Sequence, residues 1–237
     1  MFAIEKYEDI LTHLNDGFLY RNPGKFSVRM FGILFAPKYT RITREEILPR
    51  LSYLNDRSGK EIDFFCMGYT HHERYKHKPR DLENIKINTK EGVEYWQYSD
   101  IVFNSIRAEF VNQTRWTYSG ETDLLLINAI FDFEDETIFI DYSKVIWLVL
   151  DRVLKDNPNL SIGNLFEKIC TFADNTVAKN PINSISYSEG FKALGHALVD
   201  NLTEDIKKLL INLFKSADHF QVVDIEKKDV PLQVVPK

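Results

Sequence analysis

The stretch from Lys25 to Tyr69, KFSVRMFGILFAPKYTRITREEILPRLSYLNDRSGKEIDFFCMGY, limits the fold more than any other part of the chain. It reads as strand, long helix, strand, the order of a right-handed parallel crossover. Phe26, Val28, Met30, Phe31, Ile33, Leu34 and Phe35 form a nearly continuous apolar run, the pattern of a strand covered on both faces. Ala36-Pro37 ends it. Thr43 and Glu46 have capping-box spacing, in which each side chain satisfies the other residue's backbone N–H. Ile47, Leu48, Leu51 and Leu54 then recur at helical spacing and define one buried stripe. Pro49 falls inside that helix and removes a backbone donor, which predicts a local distortion. Arg57-Ser58-Gly59-Lys60 closes the helix, with Gly59 suited to a left-handed cap. Ile62 to Met67 is the second strand, ended by Gly68.

Around this unit the other elements fall into place. Ile4, Tyr7, Ile10, Leu11 and Leu14 make an amphipathic helix that Asp16-Gly17 is expected to stop. Thr70 to Arg80 is polar and basic and reads as irregular, and Asp81 to Glu94 offers a short strand at Ile85 to Ile87. Asp100 is placed to cap a helix containing Val102, Phe103, Ile106, Phe110 and Val111. After the turn signal Tyr118-Ser119-Gly120, Asp123 to Phe131 and Thr137 to Asp141 read as a hairpin with the acidic tip Asp132-Phe133-Glu134-Asp135-Glu136. Ser143 is expected to cap a helix through Val145, Ile146, Leu148, Val149 and Val153, ended by Asn157-Pro158-Asn159. Beyond that the pattern is helical: Ser161 caps Ile162 to Ala173, Ser186 and Glu189 form a second capping box, and Thr203 precedes Ile206, Leu209, Leu210, Leu213 and Phe214. The tail from Gln221 to Lys237 is apolar and ends in Val-Pro-Leu-Gln-Val-Val-Pro-Lys; a strand, a docked peptide and a disordered end all fit it.

The order through residue 156, helix, strand, helix, strand, helix, hairpin, helix, resembles the thioredoxin-like fold. Pro49 resembles the proline within that family's long active-site helix, and Ser119-Gly120-Glu121-Thr122-Asp123-Leu124 resembles the loop entering its terminal antiparallel hairpin. The resemblance implies an α/β domain with a mixed sheet flanked by helices. It also implies where redox chemistry would sit. The family's C-x-x-C pair opens the long helix, and counting back from Pro49 places Arg41-Ile42-Thr43-Arg44 there, without a cysteine. Glu121-Thr122 stands where the family has its cis-proline. A dithiol oxidoreductase is therefore not expected. Residues 157 to 237 lie outside the resemblance.

Two surfaces stand out as candidate sites. Arg41, Thr43 and Arg44 lie at the predicted helix start, where unpaired N–H groups and the helix dipole favour an anion and arginine adds planar donors. His71, His72, Arg74, Lys76 and His77 crowd the basic stretch after the second strand, the side of an α/β sheet where sites gather. Both groups would then follow C-terminal ends of parallel strands. Cys66 with His71, His72 and His77 has the ligand types for zinc, but the histidine spacing matches no established ligand pattern and Cys66 reads as a strand residue. The acidic hairpin tip lacks the glycine of an EF-hand loop and serves better to discourage edge association. Neither a glycine-rich phosphate loop, nor G-x-S-x-G, nor H-E-x-x-H occurs.

Composition narrows the remaining choices. A net charge of -5 gives no general drive toward nucleic acid or an anionic membrane. Two cysteines, Cys66 and Cys170, are not a disulfide framework and fit a reducing cytosol. The N-terminus is acidic and no apolar run approaches the length of a membrane span. The expectation is a cytoplasmic chain in three parts: a thioredoxin-like α/β domain over 1–156, an all-helical extension over 157–220, and an apolar tail over 221–237. Its expected function is non-catalytic binding or assembly, with no cofactor or metal and a protein partner or second copy held through residues 186–237. The alternative is an enzyme or sensor that binds a phosphate or nucleotide through Arg41, Arg44 and the 71–80 loop.

Overall fold

A computed structural model describes residues 4, 6–19, 26–57, 62–71, 79–89, 92–132, 137–156, 158, 160–176 and 220–226. Helix α1 (Tyr7–Leu19) buries Tyr7, Ile10, Leu11 and Leu14, the stripe set by the sequence. It runs on through Gly17 to Leu19, past the stop expected at Asp16-Gly17. Strand β1 (Phe26–Phe35) follows, then a helical segment over 41–57, then strand β2 (Asp63–Cys66), which pairs parallel with β1.

The helical segment differs from its sequence reading at its start. Thr40 is the cap: its Oγ accepts from the Thr43 N–H at 3.3 Å, and Thr43 is buried instead of boxing with Glu46. The segment passes through a π turn (Thr43–Ile47) and a 3-10 turn (Leu48–Arg50) before resuming as α2 (Leu51–Arg57). That is the distortion expected of Pro49, which cannot donate to the preceding turn. Arg50 Nη1 donates to the Glu46 carbonyl at 2.8 Å, so a side chain serves an acceptor in the disturbed turn.

Gly68, with φ +81°, turns the chain out of β2. Strand β3 (Tyr69–His71) follows at once, where the sequence suggested an irregular loop. It joins β4 (Glu83–Thr89) and β5 (Gly92–Tyr98) in a second, wholly antiparallel sheet of order β3-β5-β4. The strand anticipated at Ile85 to Ile87 is thus the middle of a full hairpin. Its charged and polar residues hid the pattern, because the outer face bears Lys86 opposite Tyr95 and Asn84 opposite Gln97. Helix α3 (Asp100–Gln113) is capped by Ser99, whose Oγ accepts from the Val102 N–H at 3.1 Å. Asp100 instead accepts from the Tyr98 hydroxyl.

Strands β6 (Asp123–Asp132) and β7 (Thr137–Val149) complete the main sheet with β8 (Phe220–Val223), in the order β2-β1-β6-β7-β8. β1 and β6, β6 and β7, and β7 and β8 are antiparallel. The helix expected from Ser143 is therefore wrong in its first half. Residues 146–149 pair with β6 on one edge and residues 145–148 with β8 on the other, and helix α4 (Leu150–Asp156) begins only after them. The run Val-Ile-Trp-Leu-Val is too short for its periodicity to separate helix from strand.

Helix α5 (Ile162–Thr176) begins where Ser161 was expected to cap it, the Ser161 Oγ accepting from the Asn164 N–H at 3.2 Å. Helices cover both sheet faces. α1 and α3 lie on one, where Phe35 stacks on Trp116 at 4.6 Å and meets Phe103 and Phe110. The 41–57 segment and α5 lie on the other, joined by Phe64 against Phe166 at 4.7 Å and by the Arg57–Glu167 ion pair at 2.7 Å. The chain is thus an α/β protein with a mixed sheet flanked by helices. Ile162, Leu165, Phe166, Ile169, Cys170 and Ile225 belong to the same core as the first 156 residues. Gly59, the hairpin tip at 133–136, the cap signals at Ser186, Glu189 and Thr203, the apolar stripe from Phe191 to Phe214, and the tail beyond 226 lie outside the described residues.

Gly68 is held by conformation and by space. A Cβ there would come within 2.8 Å of Phe103 Cβ and 3.0 Å of the Ser99 carbonyl. Gly68→Ala should lower stability by about 2–4 kcal/mol, combining a left-handed backbone with overpacking. The shift of the urea unfolding midpoint reads this directly.

Candidate functional site

The end of the main sheet where β1 gives way to the helical segment and β6 begins holds an arrangement built from two distant pieces of chain. Pro37 to Thr40 supplies the loop, Thr43 the first helical turn, and Tyr118 to Asp123 the entry to β6. Thr40, Thr43 and Thr122 bring their hydroxyls together: Thr40 Oγ lies 2.8 Å from Thr43 Oγ and 2.9 Å from Thr122 Oγ. Thr43 and Thr122 are fully buried. Thr122 is fixed further by its N–H, which donates to Asp151 Oδ2 at 2.8 Å, and by its carbonyl, which accepts from the Leu150 N–H at 2.8 Å. No cis peptide bond occurs among the described residues, so the Glu121-Thr122 bond is trans. The turn before it is made by Gly120, at φ +85°.

Asp123 opens β6 and is fully buried. Its carboxylate accepts from the Ser119 N–H at 3.0 Å and from the Ser119 hydroxyl at 2.5 Å. Burial pushes its pKa up to about 6, and the two Ser119 hydrogen bonds only partly oppose that rise. Tyr118, whose hydroxyl donates to the Glu121 carbonyl at 2.6 Å, lies under Arg107 at 5.2 Å from ring centroid to guanidinium. Burial raises the Tyr118 pKa, with nearby charge adding to the effect; burial also raises that of Tyr98, which donates to Asp100. Both phenols stay protonated at neutral pH and supply no nucleophile. Lys38 pairs with Glu83 and stands over the Tyr98 ring at 5.6 Å. Tyr39 projects from this end, 59% exposed.

The structure treats the sequence candidates unequally. Arg41 is exposed and pairs with Glu45 at 3.0 Å, one turn on. Thr43 is buried with its hydroxyl and its N–H both engaged by Thr40. Arg44 is exposed, and its backbone N–H goes to the Thr40 carbonyl. The helix start is thus capped by its own chain. His71 ends β3 opposite Trp96 in the second sheet, not in a loop leaving β2. His72, Arg74, Lys76 and His77 lie outside the described residues. Thr40 and Tyr39 went unread, while Tyr118, Thr122 and Asp123 were read only as turn, hairpin-entry and strand residues, not as part of a site. Thr40 carried a usable signal, a capping residue three before a second threonine; Thr122 and Asp123 had none without the sheet.

Cys66 and Cys170 are both buried thiols. Burial raises the Cys66 pKa far above the ordinary thiol range, so it carries no thiolate at neutral pH. What the sheet end presents to solvent is a tyrosine and two arginines above a hydroxyl-lined helix start. Such groups can bind but hold no activated nucleophile. No family model, no curated protein and no solved structure matches the chain.

Two outcomes follow from this geometry. Thr40→Val removes the cap and leaves Thr43 and Thr122 with one hydroxyl partner fewer, and should cost about 1–3 kcal/mol, with Thr40→Ser recovering most of it in urea unfolding. Asp123 has a folded pKa near 6 against an unfolded value of about 3.9, so the native state binds the proton more tightly. Its contribution to stability is greatest below the unfolded value and is lost as pH rises through about 6. The stability of Asp123→Asn relative to the unsubstituted protein should therefore improve between pH 4 and pH 7, by on the order of 1–3 kcal/mol, measured as paired unfolding curves.

Proposed function

We propose that the chain is a non-catalytic, thioredoxin-like binding or assembly component of the cytosol, and that the sheet end bearing Tyr39 and Arg41 is its binding surface. The likeness is supported by a parallel β1–β2 crossover, by a proline-distorted helix between those strands, and by the antiparallel β6–β7 hairpin followed by α4. The β3-β5-β4 sheet is additional to that pattern.

The observation that carries the functional reading is the exchange of thiols for hydroxyls. Where the resemblance puts a reactive pair, Thr43 is locked to Thr40 and Thr122, while both cysteines are packed in the core. Placement of the protein in the cytosol is supported by those two buried thiols. No helix among the described residues is long and apolar enough to cross a membrane. An exposed aromatic beside arginine is the side-chain set that anchors protein contacts, and the self-capped helix start favours this reading over an anion sensor.

The test is an insulin-reduction assay with dithiothreitol, run beside a thermal-shift series with phosphate and nucleotides. The expected outcome is no turnover above the uncatalysed rate and no ligand-dependent shift. Turnover lost in Cys66→Ser would defeat the non-catalytic reading. Stabilisation approaching about 2.7 kcal/mol at a hundredfold excess of ligand over its dissociation constant, abolished by Arg41→Ala with Arg44→Ala, would replace it with the anion-sensor reading.

A further inference from the structure

We propose that the sheet end, taken as the binding surface on the reading above, holds an acidic peptide segment of another protein, with Tyr39 as the apolar anchor and Arg44 and Arg107 pairing with the segment's carboxylates. Tyr39 is the most exposed large apolar side chain among the described residues. It stands in a tight turn, closed where the Pro37 carbonyl accepts from the Thr40 N–H at 3.1 Å. Thr40 is tied in its turn to Thr43 and Thr122. A tyrosine presented from a turn fixed in this way loses little freedom when a partner covers it. Aromatic side chains and arginine are the groups that dominate protein contacts, and here they lie together. The Tyr39 hydroxyl reaches that of Tyr118, and Arg107 lies over the Tyr118 ring at 5.2 Å. Arg41 and Arg44 follow Tyr39 at the start of the helical segment, both exposed.

The charges of this end select the occupant. Its acidic side chains are already engaged: Glu45 with Arg41, Glu83 with Lys38, Glu121 with Arg152, Asp100 with the Tyr98 hydroxyl and Asp151 with the Thr122 N–H. Asp123 is buried and holds Ser119. Among the described residues neither Arg44 nor Arg107 meets a carboxylate. The charge left unmatched here is therefore positive, in a chain that carries -5 overall. A guanidinium is planar, weakly hydrated and matched in its paired donors to the two oxygens of a carboxylate. A phosphate group would draw instead on free N–H groups at a helix start, and two of those are taken, that of Thr43 by Thr40 Oγ and that of Arg44 by the Thr40 carbonyl. A polyanion such as nucleic acid is repelled by the charge of the whole chain, whereas a short segment with few carboxylates meets much less of that repulsion. Exposed ion pairs are individually weak. The apolar anchor therefore supplies much of the hold, and the complex is reversible and salt-sensitive.

The experiment is fluorescence anisotropy on the full chain with a labelled peptide in which aspartate and glutamate alternate with leucine and phenylalanine. Beside it run the same peptide with asparagine and glutamine in place of the acids, and a single-stranded oligonucleotide. The acidic peptide should bind saturably, more weakly as salt rises, and the neutral peptide about tenfold more weakly still. Tyr39→Ala should lower the affinity for the acidic peptide about tenfold, Arg44→Glu about fivefold and Arg107→Gln about threefold, each with an unchanged circular-dichroism melt. Arg44→Lys, which keeps the charge without the planar fork, should lose less than Arg44→Glu. No binding of the acidic peptide up to millimolar concentration, or tighter binding of the oligonucleotide, would overturn the proposal. Equal affinity for the two peptides, both lost in Tyr39→Ala, would overturn the acidic partner and leave the sheet end as a binding surface. Acidic-peptide binding indifferent to Tyr39→Ala, Arg44→Glu and Arg107→Gln alike would overturn the sheet-end surface as well.

Discussion

Everything in the molecule is arranged around β1, which has neighbours on both edges and helices over both faces. Its register with β2 places Gly32 opposite Phe64, and a Cβ on Gly32 would meet the Phe64 ring at 2.6 Å. The missing side chain is what lets that ring lie across the strand and reach Phe166, so one glycine sets the seat of α5. On the opposite face Phe31 meets Phe65 and Phe35 meets Phe103, Phe110 and Trp116, which fixes α1 and α3. Arg29 and Asp63 tie β1 to β2 with an ion pair of 2.8 Å whose two side chains are nearly buried. Removal of either partner would strand a charge in the core, so the pair pins the register more than it adds net stability.

How much of this the sequence disclosed follows from the range of the forces involved. β1 was legible because seven large apolar residues within ten positions form a nearly continuous run that has few other uses. The Pro49 distortion was legible because a missing N–H is a property of one residue. The second half of β7 was not, since Val145 to Val149 carry both a helical and a strand pattern, and the choice is made by β6 and β8, the latter more than 70 positions downstream. The β3-β5-β4 sheet was hidden for a related reason. Half of β5 is exposed, with Val93 and Tyr95 outward, so its alternation is diluted by the polar residues of a solvent-facing sheet.

The candidate site divides along the same line. Arg41, Thr43 and Arg44 were found because helix starts announce themselves locally. Thr122, 79 positions from Thr43, and Asp123 were not, because their meaning exists only where the hairpin strand closes on the crossover. The same contact sets the loop entering β6 against the first turn of the helical segment, where Thr122 Oγ lies 3.4 Å from Thr43 Oγ.

The C-terminal strand completes the edge of the sheet from within. β8 pairs with β7 over 145–148; beyond it, the Ile225 N–H reaches the Tyr142 carbonyl at 2.9 Å while the Ile225 carbonyl accepts from the Arg115 N–H at 2.8 Å. Arg115 adds an ion pair to Asp224 at 3.4 Å. The strap therefore covers a run of strand that would otherwise be open to pairing with another chain, and it ties the end of α3 to the sheet. A strand was one of the three readings open for the tail, and residues 220–223 form one on the edge of β7 in their own chain. With that part of the edge occupied in cis, strand addition is a poorer route to assembly along 145–148.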